Sequence, residues 1–189
     1  MNLGHIGVRK NSKGLPGKNF KKINGKHLID WSLDQLLELD CIDSIFVSTD
    51  CELMYEHAVK RGALDLGYRP EHLANDTASK WEVWKHSVAT VEKSEGRINT
   101  FIDLDCTSPL RLKSDIEGAL SLYKREMPDM VMSCCDARKN PYFNLVELNE
   151  KNSLCISKEI QGVVVARQLA PIVLEHVAST YIINPDYLK

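Results

Sequence analysis

No acidic residue precedes Asp30, although the whole chain of 189 residues carries 24 Lys and Arg against 26 Asp and Glu. The rest of the chain carries 17 basic and 26 acidic residues, so its balance is strongly negative. The acid-free segment contains seven cations: Arg9, Lys10, Lys13, Lys18, Lys21, Lys22 and Lys26. A basic segment on an acidic chain indicates an anionic partner near the N-terminus, although a solvated lysine-rich loop would give the same charge.

The sequence also lacks long apolar runs and paired metal-binding cysteines. No run approaches the roughly 18 apolar residues of a membrane span, and the start, Met1–His5, is not that of a signal peptide. The six cysteines show neither C-x-x-C nor a partnered His spacing, which argues against structural zinc. We therefore expect a cytoplasmic protein with reduced cysteines, with Cys134 and Cys135 in a buried strand.

Short apolar runs alternate with helical periodicity, and this alternation predicts an α/β fold. We expect a Rossmann-like architecture, with a mostly parallel sheet and helices on both faces. The predicted strands are 3–8, 45–48, 64–69, 100–104 and 130–134. The first predicted helix spans 27–39, and the second begins after a cap at Thr49 or Asp50 and ends at Gly62. Two further helices begin at the capping boxes Ser79-x-x-Glu82 and Ser114-x-x-Glu117.

The pattern changes near Pro141, which suggests a second structural region. Residues Pro141–Leu148 alternate like an antiparallel strand, and a polar stretch follows. We expect a nucleotide-binding core over 1–140, an inserted arm over 141–176, and a strand at Tyr181–Ile183 that returns to the core within 177–189.

Polar residues follow three of the predicted strands, at 9–19, 48–50 and 105–111. In open α/β sheets, ligands bind beyond the carboxyl ends of the strands. The first loop fits neither G-x-G-x-x-G nor a P-loop, because Lys18 is followed by Asn19. Its glycines nevertheless allow a close approach to an anion, and Arg9, Lys13 and Lys18 suit a polyphosphate. A purely structural Lys/Gly/Pro loop is the alternative.

Six ordered motifs, spread over the whole chain, resemble those of the acylneuraminate cytidylyltransferases, which make CMP-activated sialic acids and related nonulosonic acids. The loop Arg9-Lys10-Asn11-Ser12-Lys13-Gly14-Leu15-Pro16-Gly17-Lys18-Asn19 resembles the family's R-x-G-S-K-G-x-P-x-K-N. Residues 25–32 are similar to the family's G-x-P-L-I-x-W-S, residues 47–50 to V-S-T-D, and residues 69–76 to R-P-x-x-L-A-x-D. Residues 107–111 match T-S-P-L-R, and residues 167–168 with 178–182 resemble R-Q-D…N-A-S-I-Y.

The resemblance implies that a nonulosonic acid attacks the α-phosphorus of CTP through its anomeric hydroxyl and releases pyrophosphate. Such a reaction depends mainly on positioning and charge stabilisation, with Mg²⁺ expected as cofactor. The candidate catalytic residues are Arg9, Lys13 and Arg167. The implied nucleotide-binding residues are Arg9, Ser12, Lys13, Gly14, Lys18, Asn19, Arg69, Asp76 and Thr77. The implied substrate-binding residues are Asp105, Thr107, Arg111, Arg167 and Gln168. The resemblance also implies a homodimer formed through the 141–176 arm.

This sequence departs from the family pattern at several points. Asn11 replaces a Gly in the loop, Asp105 replaces a Gln, and Leu169 replaces an Asp. Asp105 would alter contacts to the sugar or offer a carboxylate to Mg²⁺. The family's D-x-D metal ligands would lie beyond Lys189, and we therefore expect weak or no activity from residues 1–189 alone.

Three other functions are considered. One is a nucleotide- or sugar-nucleotide-binding module without turnover, and another is a CMP-Kdo-type synthetase, disfavoured because the loop reads S-K-G-x-P-x-K-N. A nucleic-acid-binding module is disfavoured because the basic residues are spaced by Gly and Pro and because the acidic remainder would repel a phosphate backbone.

Overall fold

The structure is a computed structural model that describes residues 1–11, 14–160, 162 and 164–189. The chain divides into two compact units, the first formed by Met1–Ser133 with Ala178–Lys189 and the second by Cys134–Val177. The sequence-based boundaries were instead residues 140 and 176. No helix among the described residues has the length and apolar character needed to cross a membrane.

The strands and helices alternate along most of the first unit. In chain order the strands are β1 (Asn2–Gly7), β2 (Lys22–Ile23), β3 (Lys26–His27), β4 (Ser44–Ser48), β5 (Thr100–Leu104), β6 (Met130–Asp136), β7 (Val146–Leu148), β8 (Leu154–Ile156) and β9 (Leu174–Ile183). The α-helices are α1 (Leu28–Leu37), α2 (Glu52–Lys60), α3 (Lys80–Glu95) and α4 (Lys113–Glu126). Short 3₁₀ helices span Lys18–Phe20, Glu71–Leu73, Arg167–Leu169 and Pro185–Leu188.

The main sheet has the strand order β4-β1-β5-β9-β6. Strand β1 pairs in parallel with both β4 and β5, and β9 pairs antiparallel with β5. The carboxyl ends of β1, β4 and β5 therefore meet at one edge of the sheet, where ligands bind in folds of this class. The predicted Rossmann-like α/β fold is confirmed: its core strands are parallel, and β9 makes the sheet mixed.

Strand β1 packs its alternate side chains into two apolar clusters. Ile6 belongs to the cluster that α1, α2 and α4 cover, whereas Leu3 packs with Trp84 and Val88 of α3. Gly4 faces α1 so closely that an added Cβ would lie 3.0 Å from Leu36. Because side chains on both faces of the strand are buried, the sheet is fixed between two helical layers.

Two predicted helix starts differ from the structure. The capping box of Ser79 and Glu82 is confirmed, but α4 begins at Lys113, one residue before the predicted cap Ser114. The Leu112 N–H donates to Oδ2 of Asp115 at 2.9 Å, so an aspartate two positions before the predicted Glu117 serves the helix start. The cap of α2 is Cys51, whose N–H donates to Oγ1 of Thr49.

The predicted strand 64–69 is wrong. The Leu64 N–H donates to the Ile45 carbonyl, and the Arg69 N–H donates to the Thr49 carbonyl. These two bonds lie at the ends of the segment, and Gly67 between them has a φ of 90°. Because a left-handed residue interrupts the extended backbone, the segment runs beside β4 without a continuous ladder.

The prediction that Cys134 and Cys135 lie in a buried strand is also wrong. Strand β6 is the last strand in the sheet order, and edge strands are covered less than central ones. Met132 is 41% exposed, and both Cys134 and Cys135 are exposed and reduced. The two cysteines therefore lie in a strand, as expected, but not in a buried one.

The second unit contains a β7–β8 antiparallel hairpin. The strand predicted over Pro141–Leu148 is confirmed only at Val146–Leu148, since residues 141–144 form a turn. Oδ1 of Asn140 accepts the Tyr142 N–H, and its carbonyl accepts N–H groups of Phe143 and Asn144, which favours a turn over a strand. The predicted return strand at Tyr181–Ile183 is part of β9 in the first unit.

Candidate functional site

A cleft of about 470 Å³ opens at the carboxyl ends of β1 and β5. Side chains from the loops that follow β1 and β5, from residues 69–78 and from the start of α3 form its walls. The lining residues are His5, Gly7, Val8, Arg9, Gly14, Lys18, Asn19, Arg69, Leu73, Asn75, Asp76, Ala78, Lys80, Val83, Trp84, Asp105, Cys106 and Thr107. The cleft thus lies where the order of the strands predicted a ligand site.

The loop after β1 forms one wall of the cleft. Arg9, Gly14, Lys18 and Asn19 all line it, whereas the predicted residues Ser12 and Lys13 lie outside the described part of the chain. The Asn19 amide donates to the Arg9 carbonyl at 3.4 Å and so joins the two ends of the loop. The loop therefore presents Arg9 and Lys18 to the cleft.

Asp76 and Arg9 form an ion pair across the mouth of the cleft, with Nη1 and Oδ1 2.7 Å apart. Nη1 of Arg9 also donates to the Asn75 carbonyl at 3.1 Å. Oδ1 of Asn75 accepts the N–H groups of Thr77 and Ala78, a local turn that fixes the segment carrying Asp76. Thr77 itself serves this turn and does not line the cleft.

Arg69 is a buried cation at the floor of the cleft, with only 8% of its surface exposed. Its Nε donates to Oγ of Ser48 at 2.9 Å, and Nη2 donates to the Ser48 carbonyl at 2.6 Å. Burial lowers the pKa of Arg69 to about 10, so the guanidinium remains charged at neutral pH. Because the end of β4 fixes two of its nitrogens, the charge has a defined position.

A buried network of His5, Asp103 and Lys80 supports the opposite wall. Nδ1 of His5 lies 2.6 Å from Oδ1 of Asp103, and Nζ of Lys80 lies 2.9 Å from Oδ2. Burial alone would raise the pKa of Asp103, but Lys80 and His5 outweigh it and lower that pKa to about 2. Burial lowers the pKa of His5, despite its carboxylate partner. The pair is therefore a neutral imidazole beside an ionised carboxylate.

Asp105 connects this network to the loop after β5. Its Oδ1 accepts the Thr107 N–H at 2.9 Å and the Thr107 hydroxyl at 2.6 Å, and its Oδ2 lies 3.4 Å from Nζ of Lys80. Both Asp105 and Thr107 line the cleft, and their contact with substrate stays a prediction.

Arg111 supports the same loop from behind. Its guanidinium donates to the Asp105 carbonyl at 2.7 Å, to the Ser179 carbonyl at 2.9 Å and to Oε1 of Gln35 at 2.6 Å. The side chain is buried, and burial lowers its pKa. Arg111 therefore holds the backbone of Asp105 in place and does not line the cleft itself, so a direct contact to substrate remains a prediction.

Arg167 and Gln168 lie in the second unit, within the 3₁₀ helix Arg167–Leu169. Nη2 of Arg167 donates to the Ala137 carbonyl of the same unit at 3.1 Å. Their predicted roles toward substrate stay predictions.

Sequence reasoning missed His5, Asp103 and Lys80. Asp103 and Asp105 alternate along the chain at the end of β5, and this i, i+2 spacing was the available signal that both carboxylates share one face. Lys80 is the first residue of α3, next to a segment matched by the motifs. Its partners are more than twenty residues away in sequence, so no local pattern could have linked them.

The carboxylates of the cleft already have cationic partners. Asp76 pairs with Arg9, and Asp105 faces Lys80 and Thr107. Within the described ranges, no three His, Cys, Asp or Glu side chains converge as metal ligands would. Among the described residues the cleft therefore holds no preformed cluster of metal ligands, and a contact from Asp105 to Mg²⁺ stays a prediction, because Mg²⁺ is bound through one or two carboxylates together with substrate phosphates.

Four cations, Arg9, Lys18, Arg69 and Lys80, line one cleft together with two carboxylates, Asp76 and Asp105. Arg9 and Lys18 can follow a flexible anion, whereas Arg69 and Lys80 are held by buried partners. Such an arrangement binds a multiply charged anion and leaves polar groups at the end of β5 for a second ligand.

Comparisons with known proteins agree with this chemistry. A family model described as "Cytidylyltransferase" matches residues 6–170. The chain is 36% identical to the CMP-N,N'-diacetyllegionaminic acid synthase of Campylobacter jejuni, over 97% of this chain and 77% of that protein. It is 34% identical, with the same coverage, to the post-translational flagellin modification protein B of Campylobacter coli.

A solved structure of CMP:2-keto-3-deoxy-manno-octonic acid synthetase complexed with CTP has a TM-score of 0.69 to this chain. The match covers 100% of this chain and 76% of that one, at 21% sequence identity. At this identity the likeness concerns the fold alone.

Proposed function

The chain belongs to the cytidylyltransferase family, and from this premise we propose that it transfers CMP from CTP to the anomeric hydroxyl of a nonulosonic acid. The acceptor class is that of sialic or legionaminic acid, and pyrophosphate is the second product. The observation that carries the proposal is the cleft in which Arg9, Lys18 and Arg69 surround a single anion-binding space.

The first step of the proposal is the binding of the CTP triphosphate. Arg9 and Lys18 would neutralise its phosphates, and Arg69 would add a charge that Ser48 holds at the cleft floor. Ser12 and Lys13 lie outside the described residues, and they keep their proposed roles in the same loop. Because these charges are largely in place before binding, little reorganisation opposes the negative charge that develops during transfer.

The transfer itself is an in-line displacement. The anomeric oxygen forms a bond to the α-phosphorus, the bond from that phosphorus to the bridging oxygen breaks, and pyrophosphate leaves with the bonding electrons. The hydroxyl proton passes to solvent or to a carboxylate of the cleft. Asp105 and Thr107 would orient the acceptor, since they line the wall at the end of β5. Arg167 and Gln168 would contact the acceptor from the arm.

Magnesium enters the proposal as the counter-ion of CTP, bound by its phosphates. The described carboxylates of the cleft, Asp76 and Asp105, contact Arg9 and Lys80, so the phosphates of CTP would supply most of the ligands of the ion. Mg²⁺ supplies further neutralisation of the triphosphate when it is bound there. The rate of pyrophosphate release, measured while Mg²⁺ is titrated at fixed CTP, should therefore follow the concentration of the Mg–CTP complex.

A homodimer through the second unit is the further part of this proposal. Val146 and Leu148 of β7, and Leu154 of β8, are more than half exposed, although apolar side chains on a hairpin are normally covered. We expect sedimentation equilibrium to give twice the mass of one chain, and Leu148→Asp with Leu154→Asp to give the monomer mass. A monomeric wild-type chain would contradict the dimer. Cytoplasmic location stays a prediction from the sequence.

The acceptor class rests on the relatives. Two proteins at 34% and 36% identity cover nearly the whole chain, and one is a CMP-N,N'-diacetyllegionaminic acid synthase. The CMP-Kdo-type alternative is supported by a likeness of fold at 21% identity, which does not distinguish acceptors. A nonulosonic acid is therefore the acceptor we propose.

Pyrophosphate release tests this function. The chain is mixed with CTP, Mg²⁺ and one acceptor at a time: N-acetylneuraminic acid, N,N'-diacetyllegionaminic acid or Kdo. We expect release that requires CTP together with one of the first two acids. Calorimetry with CTP runs beside it, because CTP binding with no release for any acceptor would contradict transfer and leave a nucleotide-binding module. Release with Kdo alone would contradict the acceptor class.

A further inference from the structure

Lys80 is the cation of the cleft that the family motifs do not include. Its ammonium is fixed by four contacts, all within the first unit. Nζ lies 2.9 Å from Oδ2 of Asp103 and 3.4 Å from Oδ2 of Asp105. It also lies 4.1 Å from the centre of the Tyr181 ring and 5.2 Å from that of Trp84. The side chain is thus held by two carboxylates and two aromatic faces.

Helix stability does not explain a lysine at this place. Lys80 is the first residue of α3, where the helix dipole disfavours a cation. The helix start is already satisfied, because Ser79 and Glu82 form a complete capping box. The contacts that explain a cation at this position are those with Asp103 and Asp105, at the wall of the cleft.

The ammonium of Lys80 lies at the surface of the cleft. Asp103, Asp105 and the Tyr181 hydroxyl face its three N–H donors. The contact with Asp105 is the longest of those measured to a carboxylate, at 3.4 Å, and the side chain is 36% exposed and lines the cleft. A ligand oxygen at the β5 end can therefore take the place of Asp105 on the ammonium.

The local charge indicates what kind of atom that is. Lys80 with Asp103 and Asp105 carries a net charge of −1, since burial keeps His5 neutral. The other part of the lining, Arg9, Lys18 and Arg69 against Asp76, is net positive. A second anion is thus disfavoured near Lys80, whereas a neutral oxygen can accept its hydrogen bond without opposing charge.

We propose that Lys80 binds a neutral oxygen of the acceptor, a hydroxyl or an acylamino carbonyl, and so selects the acceptor at the β5 end of the cleft. This inference rests on the proposed function and assigns a specificity-determining residue to it. In this role Lys80 affects the binding of the sugar acid and leaves the binding of the nucleotide unchanged.

Calorimetry with a CTP analogue separates the two binding events. In the analogue a methylene group replaces the oxygen between the α- and β-phosphorus, so it binds without transfer. N-acetylneuraminic acid and N,N'-diacetyllegionaminic acid are titrated into the analogue-loaded chain. We expect Lys80→Met to raise the Kd of the bound acid about tenfold, the typical effect of losing a hydrogen bond from a charged donor. The Kd of the analogue should change less than about twofold.

Two conservative variants and one control complete the experiment. Lys80→Arg should restore part of the affinity for the acid, and Lys80→Gln, which keeps an uncharged donor, should give an intermediate Kd. Lys85→Met replaces an exposed lysine of the same helix and should leave both Kd values unchanged. Thermal unfolding of each variant identifies a loss of fold.

The outcomes distinguish this inference from the proposed function. An unchanged acceptor Kd in Lys80→Met, with turnover in the wild-type chain, overturns the role of Lys80 alone. Equal weakening of analogue and acid, with a lowered Tm in all three Lys80 variants, overturns it in favour of a structural role. Acid binding that depends on Lys80 without turnover contradicts the transfer step alone. A wild-type chain that binds neither acid overturns the role of Lys80.

Discussion

Asp103 and His5 occupy opposite positions on the paired strands β5 and β1, and their side chains meet at 2.6 Å within the core. The carboxylate is almost fully enclosed, and it also faces the ammonium of Lys80. The ionised carboxylate of Asp103 therefore contacts both His5, at the centre of the sheet, and Lys80, at the wall of the cleft.

The stability of the fold should depend on the ionisation of Asp103. Folding lowers the pKa of this carboxyl from 3.8 to about 2. The ionised group therefore stabilises the folded chain fully above about pH 4, and this contribution, about 2 kcal/mol, is lost as the pH falls through about 2. Urea unfolding of the wild type and of Asp103→Asn measures this contribution. The difference between their free energies of unfolding should decrease from pH 5 to pH 2.

The control for this measurement is Asp40→Asn, at an exposed position. We expect it to change the free energy of unfolding by less than about 0.5 kcal/mol throughout the pH range. If the free energies of unfolding of wild type and Asp103→Asn differ by the same amount down to pH 2, the lowered pKa of Asp103 is contradicted.

A side chain at Gly7 should weaken nucleotide binding. An added Cβ would lie 3.3 Å from Cε1 of His5, which is tighter than ordinary contact, and 3.4 Å from Nη2 of Arg69, at the limit of ordinary contact. We expect Gly7→Ala to displace the guanidinium and to raise the Kd of CTP several-fold, on the order of 1 kcal/mol. Calorimetry with CTP measures the change.

Gly118→Ala is the matched substitution. Gly118 lies within α4, and an added Cβ would meet nothing within 4 Å. The change should stabilise the helix by about 0.5–1 kcal/mol and leave CTP affinity unaltered. If Gly7→Ala binds CTP as tightly as Gly118→Ala, the position of Arg69 is not what sets the affinity.

Arg69 should not be replaceable by lysine. Its Nε and Nη2 reach two different acceptors of Ser48, and an ammonium at the end of a shorter, flexible stem cannot reproduce that fork. We expect Arg69→Lys to raise the Kd of CTP about tenfold or more, whereas Arg125→Lys, on the exposed face of α4, should have no effect. Equal affinities for both variants would remove Arg69 from the triphosphate site.

The turn at Asn75 should matter for the nucleotide through Asp76 and Arg9. Asn75→Ala removes the acceptor for the N–H groups of Thr77 and Ala78. The loosened segment should raise the Kd of CTP about threefold to tenfold, as expected from losing side-chain hydrogen bonds of this kind.

Asn149→Ala provides the comparison, because Asn149 accepts the N–H groups of Lys151 and Ser153 in the same manner, in the second unit. Its loss should leave CTP affinity at the wild-type value. CTP affinities that fall equally in both variants would show that the effect of Asn75 is not local to the cleft.

Much of the fold followed from periodicity and helix caps. The apolar runs located β1, β4 and β5, and Ser79 with Glu82 marked the start of α3, because these signals are local in sequence. The errors arose where tertiary context decides. An apolar run at 130–134 became a partly exposed edge strand, and Gly67 interrupted the expected strand at 64–69. Position in the sheet and a left-handed glycine are not visible as periodicity.

The site was predicted in the same uneven way. Arg9, Lys18 and Arg69 lay in recognisable motifs, and all three line the cleft. Lys80 was missed because its place in the cleft depends on contacts with Asp103 and Asp105. The packing of α3 against β5 brings these residues together, and that packing is not visible in the local sequence. Arg111 donates hydrogen bonds to backbone carbonyls and Gln35, and its contact with substrate stays a prediction.

The most direct test of the proposed reaction is phosphorus NMR of the chain incubated with CTP, Mg²⁺ and N,N'-diacetyllegionaminic acid. Cytidylyl transfer predicts that the α-phosphorus signal of CTP is replaced by a phosphodiester signal, with pyrophosphate formed in equal amount and with both signals absent in Arg69→Met. Unchanged CTP, or its hydrolysis to free CMP without a new phosphodiester, would contradict the account.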